Sequence, residues 1–278
     1  MQVIDAHQHF WKIDRGDYFW MDDSVAAIRR DILPPDLQAI APPLGVTATV
    51  VVQAAATVEE TEFLLSLAKQ HDWIQGVVGW VDLTLESAPE TLATLARDPH
   101  FKGIRPMLQD IEDSRWILQP VVMENLKQLA KLGLSMDALI TPRHLDIINQ
   151  LANEIPELPM VIDHCAKPVI AAGNAASDDW HKGMRQLAEH PQIYCKLSGL
   201  ANEYGSGWSA DSLSPIAQCV LECFGAERVM WGSDWPVLEL VGEYGDWLQA
   251  AKTMTQHCSE AERQALFSGT ASRFYRLN

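Results

Sequence analysis

Val3-Ile4-Asp5-Ala6-His7-Gln8-His9-Phe10-Trp11 opens the chain, an apolar run that delivers two histidines at alternate positions. Residues two apart on a β-strand point to the same face. The run therefore predicts a buried strand with His7 and His9 side by side at its C-terminal end. Two neutral imidazoles at that spacing supply half of a metal site, or a pair of donors aimed at one oxyanion. The competing reading, two solvated histidines on a surface strand, fits poorly with a Val-Ile run of buried type.

Working outward, the segments 47–53, 74–81, 101–107, 134–140, 159–164, 193–198 and 229–234 read as further strands, beside the first at 3–9. Helical patterns lie between most of them. Glu59 to His71 places Phe63, Leu64, Leu67 and Ala68 on one face, and 87–97, Val121 to Lys131, 143–153 and Asp211 to Phe224 read the same way. Apolar strands alternating with helices predict an α/β chain whose parallel strands are covered by helices. Eight of them predict a (β/α)8 TIM barrel, one domain over residues 1–278. A doubly wound sheet is the alternative, but no Gly-x-Gly-x-x-Gly turn or phosphate loop follows any strand. Residues 12–36, rich in Trp, Asp and Arg, form a long first loop expected over the barrel mouth.

Composition narrows the partners. Among 278 residues, 21 are Lys or Arg and 37 Asp or Glu, a net charge of −16. Such a surface repels phosphate backbones and anionic lipid, so nucleic acid and membrane are not expected partners. No apolar run approaches the roughly 18–20 residues of a spanning helix, and no basic segment followed by a long apolar core marks a secretory signal. Cys165, Cys195, Cys219, Cys223 and Cys258 show no CxxC spacing and read as free thiols of a reducing cytoplasm.

In a barrel of this kind function gathers at the C-terminal ends of the strands. Those ends carry His7, His9, Gln53, Trp80, Asp82, Arg105, Asp137, His164, Lys196 and Asp234. Packing does not require apolar strands to end in strong polar groups so often. Bland readings compete for some: Asp82 as a local cap, Gln53 as a partner for loop backbone, Asp137 as a partner for Arg or Lys across the barrel. His164 ends Val161-Ile162-Asp163-His164, and Asp234 sits in Met230-Trp231-Gly232-Ser233-Asp234-Trp235-Pro236. Three histidines and Asp234 can converge on one point, where the carboxylate would bind a cation or take a proton from water. The planar fork of Arg105 suits a carbonyl or carboxylate.

At this point the strings DAHQHFW, VVQAA, VVGWVDL, GIRPMLQD, VIDHCAKP, KLSGL, MWGSDWP and ASRFYRLN can be set beside known families. Together they resemble the sugar-lactonase branch of the amidohydrolase superfamily, the branch of L-fuconolactonase and L-rhamnonolactonase, along essentially the whole chain. Many superfamily members bridge two metals with a carboxylated lysine on the fourth strand and add a histidine on the fifth; here Arg105 and Asp137 stand there. The resemblance thus implies at most one divalent cation, zinc first among them, held by His7, His9, His164 and Asp234, or metal-free operation with the same groups. It implies hydrolysis of a small sugar-acid lactone, with Asp234 as base and His7, His9 and His164 polarising the carbonyl. Arg105, Gln53, Asp82, Asp137 and Lys196 are then expected on substrate oxygens, and Trp11, Trp80 and Trp235 against the sugar ring. A decarboxylase built on the same set, a metal-independent lactonase acting on a carboxylated lactone, or an inactive binding protein are the alternatives.

Overall fold

A computed structural model describes residues 2–277. Eight parallel strands form the barrel in sequence order: β1 (Val3–Gln8), β2 (Val46–Val52), β3 (Ile74–Gly79), β4 (Phe101–Ile104), β5 (Ser135–Ala138), β6 (Met160–Ile162), β7 (Ile193–Leu197) and β8 (Val229–Trp231). The ring closes between β8 and β1, where the Asp234 N–H donates to the His7 carbonyl at 2.7 Å and the His9 N–H to the Trp235 carbonyl at 2.8 Å. Each expected strand is present. The later ones stop short of their expected ends, because the chain turns out of the ladder where Arg105, His164 and Asp234 begin the loops.

The five expected helices appear as Val58–Ala68, Ala88–Leu95, Pro120–Lys131, Leu145–Glu154 and Ala210–Phe224. Asp178–Ala188 and Tyr244–Met254 complete the outer layer. Apolar packing falls into two layers. One lies between strands and helices; the other gathers Ile4, Ala6, Ala48, Val50, Val52, Val78, Val161 and Met230 with Phe274 and Tyr275. Side chains from β1, β2, β3, β6 and β8 can meet only inside the barrel, so the helix Thr270–Tyr275 packs against its interior filling.

One irregularity positions the site. Asp5 pairs with Thr49 and Gln8 with Val51, so three steps along β1 match two along β2, a β-bulge. The buried Asp5 carboxylate fastens it, accepting from the His7 N–H (3.1 Å), the Ser233 N–H (2.9 Å) and hydroxyl (2.6 Å), and the Tyr244 hydroxyl (2.9 Å). Gly232 lets β8 approach this bulge, since a Cβ there would stand 2.6 Å from the His7 Cβ.

Candidate active site

Three imidazoles converge on one carboxylate oxygen at the C-terminal mouth. Asp234 Oδ1 lies 3.3 Å from His9 Nε2, 3.7 Å from His7 Nε2 and 3.8 Å from His164 Nε2. The second nitrogen of each ring is held from behind. His9 Nδ1 lies 2.8 Å from the Val52 carbonyl. A carbonyl only accepts, so Nδ1 is the donor there, and Nε2 is the atom turned toward Asp234. His164 Nδ1 meets the Ser198 hydroxyl at 2.9 Å, and His7 Nδ1 lies 3.3 Å from Asp163 and 3.1 Å from Lys196 Nζ.

His164 reaches this point through an unusual backbone. His164, Cys165, Ala166 and Lys167 all have positive φ (51°, 52°, 58° and 48°), as does Asp234 at 58°. Left-handed conformation costs a non-glycine residue about 1–2 kcal/mol, and such strain collects at functional sites. The turn is accommodated because Gly199, with φ +66°, has no Cβ; one built there would sit 2.5 Å from His164 Nδ1.

Burial sets the charge states. It pushes the His7 imidazolium well below its ordinary range, helped by Lys196, and brings His164 down to about 4. Both rings are therefore neutral near pH 7. Burial alone would raise Asp234, but His164, the His9 hydrogen bond and His7 outweigh it and hold the carboxylate well below its usual range. An ionised oxygen beside the neutral His7 and His164 rings suits a divalent cation of borderline softness, or the deprotonation of water. His7, His9 and Asp234 offer one ligand atom each, all within 4.8 Å of one another.

Below them runs a buried ionic chain. Lys196 Nζ contacts Asp137 at 2.5 Å and Asp163 at 3.1 Å, and the Tyr275 hydroxyl donates to Asp137 at 2.7 Å. Arg105 donates through Nε to the Gln53 side chain (2.9 Å) and through Nη2 to the Gln53 carbonyl. Its Nη1 lies 3.5 Å from Asp163 and 3.4 Å from His7 Nε2.

A cavity of about 230 Å³ opens above this group, of a size for one small ligand. It is lined by His9, His164, Asp234 and Arg105 with Trp20, Ala54, Met107, Gln109, Asp110, Leu139, Lys167 and Val237. The expected substrate contacts divide accordingly. Arg105 lines the cavity, whereas Gln53, Asp137 and Lys196 do not: Gln53 holds Arg105, and the other two form the ion pair inside the barrel. Asp82 accepts from the Thr84 N–H (2.9 Å) and hydroxyl (2.6 Å), which is a local cap.

The expected aromatic wall is also different. Trp11 is buried, stacked on His9 at 6.3 Å with its indole N–H on the Arg30 carbonyl. Trp235 is buried and donates to Glu239, and Trp80 lies outside the cavity lining. The indole at the cavity is Trp20 of the 12–36 segment, donating to the Ala54 carbonyl at 2.8 Å. Sequence reading passed over Asp163, Ser198, Trp20 and Lys167. Asp163 had a signal, a carboxylate ending the same apolar run as His164; the others depend on how loops fold back.

With this geometry in place, the comparisons with known proteins are concordant. Residues 4–277 match the family model described as Amidohydrolase. The chain is 44% identical to an L-fucono-1,5-lactonase of Burkholderia ambifaria, over 99% of this chain and 96% of that protein. It is 35% identical to an L-fucono-1,5-lactonase of Burkholderia multivorans, over 99% and 96%. The crystal structure of an amidohydrolase from Burkholderia multivorans with bound zinc superposes with a TM-score of 0.93 at 34% identity, over 100% of each chain. The chain belongs to the Amidohydrolase family.

Proposed function

We propose that the chain hydrolyses a neutral sugar-acid lactone to the open aldonic acid, with L-fucono-1,5-lactone the first substrate to test. The observation that carries this is the convergence of three His Nε2 atoms on the ionised Asp234 at the floor of a small cavity. The name of the relatives, L-fucono-1,5-lactonase, supports the substrate class. Charge supports a neutral ligand. Arg29 pairs with Asp23, Arg30 with Glu239, and Arg143 donates to the Gln109 and Ile111 carbonyls, so none of these loop arginines lines the cavity. A dicarboxylate would want several fixed cations there, and the net charge of −16 repels it at long range.

In this reading Asp234 takes a proton from water as the water oxygen attacks the lactone carbonyl carbon. Arg105 Nη1, beside His7 Nε2, presents a fixed positive charge to the developing oxyanion. His7, His9, His164 and Asp234 fit one divalent cation, and the zinc in the related crystal structure supports that identity. These four residues would hold it, and it would supply Lewis-acid polarisation of the carbonyl. Trp20 closes one wall and limits water.

The decisive assay is acid release from L-fucono-, L-rhamnono- and L-galactono-lactones and from a dicarboxylated lactone. Opening no faster than the spontaneous rate, across five- and six-membered rings, overturns the reading, and carbon dioxide release from an aromatic acid would favour a decarboxylase. Elemental analysis, with activity after chelation, tests the metal. Full activity in metal-free protein would leave the polarising role to Arg105 and the imidazoles. No helix among the described residues is long and apolar enough to cross a membrane. A cytoplasmic location is proposed on the free thiols, which suit a reducing compartment.

A further inference from the structure

Two cations line the cavity, and they differ in how firmly they are held. The Arg105 guanidinium is fixed on every side by Gln53, Asp163 and His7, and it is buried. Lys167 is not. Among the described residues its ion pair is with Glu203 at 3.6 Å, and their side chains are 23% and 25% exposed. A compact ammonium on a flexible stem, loosely paired, can change partners where a clamped guanidinium cannot.

The placement of this pair is built into the fold. The left-handed run that turns His164 toward Asp234 ends at Lys167, so one turn brings both residues to the same cavity. Glu203 comes from the other side. Gly199, which makes room for the His164 ring, leads into the short helix Leu200–Tyr204 that carries it.

Ring opening creates a charge the substrate lacked. A bond forms between the water oxygen and the carbonyl carbon, the bond from that carbon to the ring oxygen breaks, and the ring oxygen leaves with the electron pair and takes the proton that Asp234 removed from the water. The new carboxylic acid gives its proton to solvent. No oxidant or reductant is needed. The result is a carboxylate in a cavity that already holds the ionised Asp234, where like charges repel.

We propose that Lys167 is the carboxylate-binding residue for the product, paired with Glu203 while the cavity holds the neutral lactone and shifting to the new carboxylate once the ring has opened. Glu203 then competes with the product for Lys167 and helps release it. This rests on the lactonase reading above, which assigns no role to either residue.

The experiment compares inhibition by the aldonate product with the KM of the neutral lactone in wild type, Lys167→Met, Lys167→Arg and Glu203→Gln. One charge-assisted hydrogen bond corresponds to about tenfold in affinity or more. Lys167→Met is expected to weaken the aldonate about tenfold more than the lactone, and Lys167→Arg to restore most of that difference. Glu203→Gln is expected to tighten the aldonate and slow its release. Equal losses for the charged and neutral ligands, or a wild type that opens the lactone without inhibition by aldonate, would overturn the proposal. Calorimetric titration of the aldonate requires no turnover, so a failure of the lactonase reading is seen separately.

Discussion

Lys196→Met tests the division between the cavity and the ionic chain beneath it. The sequence offers Lys196 as a substrate contact, yet its ammonium is fully buried, 2.5 Å from Asp137 and 3.1 Å from Asp163. At an effective dielectric near 20, each contact is a gross attraction of about 5–7 kcal/mol, and most of that offsets the cost of taking the ions out of water. Methionine fills similar volume but leaves two carboxylates without their cation. Asp137 relieves itself cheaply, since burial has already pushed it up to about 6 and it binds a proton readily. Asp163 does not: against burial, Lys196, His7 and Arg105 hold it well below the usual carboxylate range. One orphaned buried charge costs about 3–5 kcal/mol, so the expected loss is about 4 kcal/mol in urea unfolding at pH 7. Adding Asp137→Asn to Lys196→Met should recover about 1 kcal/mol, because it removes one of the two stranded groups. A loss below about 1 kcal/mol accompanied by collapse of turnover would refute this reasoning and return Lys196 to the chemistry.

Asp234→Asn should keep the fold and cut kcat by about 100- to 10,000-fold, the range for loss of a general base; near-normal turnover would make Asp234 a structural group. Gly199→Ala forces a Cβ onto the His164 ring at a φ of +66°. It should cost about 1–2 kcal/mol in stability and lower kcat/KM about 100-fold by displacing His164, measured by unfolding and steady-state rates on the same preparation. Glu60 supplies the pH test. Burial raises its carboxyl to about 7, despite the Ala54 and Ala55 N–H groups it accepts from. A carboxyl raised in the folded state binds more protons folded than unfolded, so its contribution is most favourable below about pH 4.5 and is lost as pH rises through 7. Wild type should therefore lose about 3 kcal/mol relative to Glu60→Gln between pH 4.5 and 8; parallel stability curves for the two proteins would exclude it.

How much of this was legible in the chain depends on the range of the forces involved. Eight apolar runs, helices between them and polar residues at the run ends are local signals, and they locate the barrel, its working end and the His7, His9, His164 and Asp234 set. Charge arithmetic likewise needs no coordinates. The differences from the sequence reading arise where the chain leaves regular strand geometry or folds back in loops. Strand alternation assumes an unbroken ladder, but β1 carries a bulge held by Asp5 to Ser233, 228 residues away, and β6 ends in a left-handed turn that only the gap at Gly199 permits. Sequence offered Lys196 as a substrate contact and passed over Lys167, and it named Trp11, Trp80 and Trp235 where Trp20 lines the cavity. A lysine at a strand end and a lysine in a loop look alike until partners are assigned. Tertiary structure assigns them, because a buried ammonium must lie beside carboxylates whereas a half-exposed one remains free to exchange them.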